Sequence, residues 1–128
     1  MLDIESYRDY CLSLGNNIEE RMPFSAFKAA QGVLAFYVYG HIFSFFDTGC
    51  FTIVTLKCRP DRIAVLREQY PAVTAPYNMS PRHWIGVDAT QSDARLLRTL
   101  TRDSYELVRR QYSGNRHLTT NQKQSTRH

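Results

Sequence analysis

Near the N-terminus Ile4, Tyr7, Cys11 and Leu14 recur at helical spacing, with Asp3 placed to cap the start and Gly15 following the end. This predicts a helix over 3–14. Residues 16–26 have no periodicity, and Pro23 would break any, so the stretch reads as irregular. Then the pattern changes. VLAFYVY (33–39) and HIFSFFD (41–47) are dense in β-branched and aromatic side chains and part at Gly40. That is a hairpin signal with the turn type left open. FTIVTLKC (51–58) reads as a third strand, covered in part on both faces.

Pro60 suits the first turn of a helix, where its missing N–H is harmless. Ile63, Leu66 and Tyr70 share one side, and Pro71 ends this helix at about 69. Residues 71–82 hold Pro71, Pro76 and Pro81 and read as a stiff loop with room for one more short strand. HWIGVDA (83–89) is a strand, and Ser92 and Asp93 open a last helix running to about Tyr112. The remainder, 113–128, has one large apolar side chain and reads as a disordered basic tail. The order is α-β-β-β-α-β-α. Hairpin-built strands with helices outside them predict a single α+β domain over 1–112, an antiparallel twisted sheet with helices packed on one face.

Composition narrows this only slightly. At 128 residues, 43% hydrophobic and 22% charged, the chain can bury a core without disulfides or metal. No apolar run reaches the ~18 residues of a membrane span. The N-terminal MLDIESYRDY lacks the basic-then-apolar order of a signal peptide, so a cytoplasmic protein without membrane contact is expected. Cys11, Cys50 and Cys58 have no metal-ligand spacing and read as reduced thiols.

Charge changes the picture more. Residues 1–56 carry three basic and six acidic side chains, and residues 57–128 carry thirteen and six. On a helical wheel Arg95, Arg98, Arg102 and Arg109 fall within an arc of about 60°, opposite Leu96, Leu97, Leu100, Leu107 and Val108. This is either a solvated face, with Glu106 pairing its neighbours, or a stripe that tracks phosphates. Lys57, Arg59 and Arg62 cluster where a strand meets a helix start, the end where cations do nothing for the helix dipole. Arg82 and His83 join them if the sheet brings them close.

The run from 56 to 84 carries Leu56-Lys57-Cys58, Pro60, Leu66-Arg67-Glu68, Tyr70-Pro71, Tyr77, Met79 and His83-Trp84. In this it resembles the MmcQ/YjbR family. The N-terminal helix with Cys11 and Leu14, the segment from Glu19-Glu20 to Pro23-Phe24 and the Gly-centred hairpin fit too, so the resemblance covers about 3–112. Pro76 stands where the family usually has Gly, and Asn78 and Ser80 stand where His and Asn often flank the methionine. The resemblance implies a frataxin/CyaY-like fold. It also implies likeness to the "double-wing" domain of a phage transcription factor, hence DNA binding by fold analogy. Pro60, Leu66, Tyr70, Pro71, Tyr77, Met79 and Trp84 are expected to be structural. Tyr77 and Met79 would cover one edge of the core, Trp84 would anchor sheet against helix, and His83 would face the other way.

The frataxin likeness raises iron, but Asp3, Glu5 and Asp9 lie on different faces of the first helix. No metal site and no cofactor are expected. Cys58 and His83 have no third group to orient them, so no enzyme is expected. The expected function is weak, non-specific, phosphate-directed DNA binding through Lys57, Arg59, Arg62, Arg82, His83, Arg95, Arg98, Arg102 and Arg109. The alternative is a protein- or small-ligand-interaction module. It would use a homodimer interface or the sheet face bearing Phe36, Tyr37, Tyr39, Phe43, Phe45, Phe46 and Phe51, too many aromatics for one small core.

Overall fold

The computed structural model describes residues 2–28 and 31–121, the side chains of 114–121 excepted. The elements are α1 (Ile4–Ser13), β1 (Glu19–Arg21), β2 (Val33–Val38), β3 (His41–Asp47), β4 (Ile53–Lys57), α2 (Pro60–Gln69), β5 (Val73–Thr74), β6 (Trp84–Asp88) and α3 (Ala94–Asn121). Among the described residues, three helices and six antiparallel strands form one α+β unit with sheet order β1-β2-β3-β4-β6-β5.

The caps sit where the sequence placed them. The Asp3 carboxylate accepts from Ser6 N–H at 2.8 Å, and the Asp93 carboxylate accepts from Leu96 N–H at 2.7 Å. Each satisfies an amide that the first helical turn leaves without a partner. The hairpin turns on Tyr39 (φ 51°) and Gly40 (φ 79°), two left-handed residues between the paired Val38 and His41. Two positive φ values make it a type I′ turn, whose twist matches the strands it joins.

One correction concerns the element order. β1 was expected to be irregular. Its residues, Glu19, Glu20 and Arg21, show no apolar alternation; the strand is held by main-chain pairing to β2. β5 is the short extra strand that the 71–82 loop had room for. The helix α3 also continues to Asn121, beyond the expected end near Tyr112. Adding a residue to a formed helix takes one hydrogen bond and no new nucleus. Of the stretch expected to be disordered, 113–121 belongs to α3, and 122–128 lies outside the described residues.

All three helices pack on one face. Tyr7 and Cys11 of α1, Ile63 and Leu66 of α2, and Leu97, Leu100, Tyr105 and Val108 of α3 share a core with Phe36, Val38, Phe43, Phe46, Val54, Leu56, Ile85 and Val87. A bulge between Phe36 and Tyr37 leaves Phe43 out of the ladder, so Phe43 and Ser44 both serve the helix side. Tyr7 is fully buried. Its hydroxyl bonds Ser44 Oγ at 2.7 Å and Thr101 Oγ1 at 2.8 Å, joining α1, β3 and α3. Buried polar groups satisfied in this way rigidify a core, and left unsatisfied each would cost about 1–3 kcal/mol.

The opposite face holds a second, smaller cluster of Val33, Ala35, Tyr37 and Phe45, with Met79 packed on it. The aromatics of β2 and β3 are thus divided between two cores. Phe36, Phe43 and Phe46 are buried in the first, and Tyr37 and Phe45 in the second. The open aromatic sheet face expected for an interaction module does not exist at these residues.

Candidate nucleic-acid interface

The α3 sequence alternates two chemistries around one rod. Leu97, Leu100, Thr101, Ser104, Tyr105 and Val108 are buried, while Arg95 and Arg102 are exposed and Arg98 and Arg109 half-buried. The arginine side borders a groove of about 780 Å³, closed by Tyr10 of α1 and by Arg59 and Arg62 at the start of α2. Arg95, Arg98, Arg102, Arg109 and Arg110 line it from α3, together with Asp103 and Glu106.

The carboxylates take only part of this charge. Arg62 pairs with Asp103 at 3.2 Å, Arg59 with Asp61 at 2.9 Å, and Glu106 with Arg109 at 2.7 Å and Arg110 at 3.8 Å. These pairs are exposed or partly exposed, and such pairs contribute about 0–1 kcal/mol, so they exchange readily for another anion. Arg95, Arg98 and Arg102 have no carboxylate within ion-pair distance among the described residues. The Arg98 main chain is fixed independently, its carbonyl accepting from the Tyr10 hydroxyl at 3.1 Å.

The remaining expected residues lie around the corner. Cys58 N–H donates to the His83 carbonyl at 2.8 Å, and Lys57 pairs with Trp84 across the β4–β6 ladder. The sheet therefore brings His83 to the start of α2. Lys57 and His83 line a separate cavity of about 320 Å³ with Trp84, Leu107 and Gln111. Arg82 lines neither this cavity nor the arginine groove. It is exposed on the turn before β6, with its N–H on Ser80 Oγ at 3.3 Å. Burial holds the Lys57 amine below the ordinary lysine range.

Two of the expected structural residues sit elsewhere. Trp84 is half-buried on the face away from the helices, its ring 6.4 Å from Phe45, because Ile85 and Val87 take the helix side of β6. Tyr77 is 52% exposed, and Met79 alone packs on the second core. Asn78 lies between them at φ 54°, which breaks the extended alternation that would have put both side chains on one side. Tyr10 and Arg110 were missed as groove residues. Arg110 stands four residues after Glu106, a helical neighbour that wheel counting could have found.

Catalytic chemistry finds little footing at Cys58. Its thiol is buried, and desolvation raises its pKa. Among the described residues no group of three or more His, Cys, Asp or Glu side chains converges as metal ligands would, and no helix is long and apolar enough to cross a membrane.

No curated protein matches the chain. Protein DR2400 of Deinococcus radiodurans, which carries a DUF419 domain, superimposes with a TM-score of 0.73 at 27% identity, over 85% of this chain and 80% of that one. A protein from Pseudomonas syringae superimposes with a TM-score of 0.69 at 18% identity, over 84% of this chain and 100% of that one, a likeness of fold alone. The YjbR family model matches residues 14–107, which is most of the folded unit. The chain belongs to the YjbR family.

Proposed function

We propose that this protein is a non-enzymatic domain that binds duplex DNA through its phosphates. The observation that carries this reading is the shared groove position of Arg95, Arg98 and Arg102 without carboxylate partners among the described residues. Guanidinium groups are always charged and fork toward phosphate oxygens, and α3 holds these three on a packed scaffold. Arg59, Arg62, Arg109 and Arg110 add to the field once a polyanion competes with their exposed carboxylates. Nothing in the groove dictates contact with base edges, so binding is non-specific. Reversing two charges tests the reading. Arg98→Glu with Arg102→Glu should abolish retention of a duplex in a gel-shift assay while leaving the fold intact by circular dichroism. Unchanged retention would remove the groove from the account.

A second reading draws on a different surface. Met22, Phe24 and Phe27 are exposed, Phe27 at 66%, and they follow β1, an edge strand of the sheet. Exposed apolar groups beside an unpaired edge favour a protein partner, a second copy of the chain included. Such a partner would survive the same charge reversal.

A further inference from the structure

The cavity beside Lys57 has a different chemistry from the arginine groove. Three strand ends meet there, with β3 beginning at His41, β4 ending at Lys57 and β6 beginning at Trp84. The Lys57 ammonium lies 6.0 Å from the Trp84 ring centroid and 5.7 Å from that of Tyr112. Tyr112 is itself held by stacking on His41, with centroids 3.4 Å apart and planes at 8°. The hydrogen-bond partner of the ammonium is neutral, Gln111 Oε1 at 3.2 Å, and no carboxylate reaches it among the described residues.

A half-buried cation without an anion is under-compensated. Its depressed pKa is consistent with that, though the geometry stands without it. The adjoining cavity, about 320 Å³, offers an indole, an imidazole and an apolar wall at Leu107. Aromatic rings beside a fixed cation hold a nucleobase by stacking and its phosphate by charge. Leu107 lines both this cavity and the arginine groove, so a strand leaving the groove reaches the cavity directly.

We infer that the cavity takes an unpaired nucleotide, its base against Trp84 and its phosphate on Lys57. This rests on the proposed phosphate binding in the groove and adds the class of partner, a nucleic acid with an unpaired base. Trp84 is the single tryptophan of the chain, so its emission reports occupancy. The full chain is titrated with a short oligothymidylate, a blunt duplex of equal length and thymidine monophosphate. Saturable quenching by the oligothymidylate is expected, with little by the duplex and a midpoint about tenfold weaker for the mononucleotide. Lys57→Gln should raise the oligothymidylate midpoint about tenfold and weaken duplex retention far less. Trp84→Phe, read by anisotropy of a labelled strand, should weaken the oligothymidylate less than Lys57→Gln does, because a ring face remains. Unchanged emission under saturating oligothymidylate, with the duplex still retained, would overturn the cavity assignment and leave the groove standing. Failure of both nucleic acids to bind would overturn the groove reading and this one with it. Equal midpoints for mononucleotide and oligomer would overturn the assignment to a strand.

Discussion

The main-chain N–H of Lys57 donates to the Ser104 hydroxyl at 2.9 Å, and that hydroxyl donates to the Phe43 carbonyl at 2.6 Å. The β3–β4 ladder stops at Ser44 and Leu56, and the bulge at Phe43 has carried its next acceptor out of reach. A side chain of α3 thus completes a strand pair, and the helix bearing the arginines is registered against the sheet. Ser104→Ala would strand one half-buried donor and one buried acceptor. We expect a loss of about 1–3 kcal/mol in denaturant unfolding. An unchanged midpoint would mean that the ladder closes without the helix.

Gly86 supports the second face in another way. A Cβ there would lie 2.4 Å from the Ala75 carbonyl oxygen and 3.0 Å from Ile53 Cγ2. The oxygen belongs to the backbone that runs from β5 into the proline-rich loop, where Tyr77 N–H meets Thr55 Oγ1 at 3.4 Å. Gly86→Ala should destabilise by about 1–3 kcal/mol as that segment is pushed off the sheet. Met79 should lose its packing with it, visible as faster proteolysis near 75–80.

The sequence was most informative where a local rule and the tertiary fold agreed. Asp3 and Asp93 mark helix starts by capping chemistry that acts within four residues, and Pro60 and Pro71 bracket α2. The family resemblance, drawn from Leu56 to Trp84, agrees with the match over 14–107. Trp84 was misplaced because a strand pattern says that neighbours alternate without saying which face the helices cover. β1 was illegible because an edge strand of charged residues draws its stability from main-chain bonds and from Arg8–Glu20 and Arg21–Tyr37 contacts, none of them periodic. The stripe of Arg95, Arg98 and Arg102 was legible by wheel counting. That it faces Arg59 and Arg62 across a groove was not, since this depends on how α2 and α3 pack.

The thiols should separate cleanly. Cys50 is exposed, whereas Cys11 and Cys58 are buried, and desolvation pushes Cys11 up to about 12. One of three thiols should react with a disulfide reagent at neutral pH in the native state, and all three after denaturation. The raised Cys11 value sets a sign as well. The unfolded thiol ionises near its ordinary ~8.5 while the folded one holds its proton, so this contribution is full below that pH and is lost as pH rises toward about 12. The buried Tyr7 phenol, raised well above its usual value, acts in the same direction at still higher pH. Stability should therefore fall on the alkaline side, and Cys11→Ala should flatten the first part of that fall. An alkaline slope identical in that variant would exclude the thiol as its cause.

Asp103 pairs with Arg62 at 3.2 Å, so under the proposed function it would compete with phosphate for that guanidinium. Asp103→Asn should raise duplex affinity several-fold at low salt and steepen the salt dependence by up to about 0.9 in slope, one added phosphate contact. Weaker binding in this variant would mean that the carboxylate positions Arg62 for its ligand.

The central claim is that groove arginines, and not the basic tail, neutralise phosphates. The most direct test is the slope of log K against log salt for a duplex bound to the full chain. It is compared with the Arg98→Glu, Arg102→Glu variant and with a variant whose Arg116, Lys123 and Arg127 are changed to Gln. About four neutralised phosphates predict a slope near −3.6, a loss of roughly a hundredfold between 50 and 200 mM salt. That slope should persist when the tail is neutralised and collapse when the groove is reversed. A flat response of the full chain, or a slope lost with the tail and kept without Arg98 and Arg102, would contradict the account.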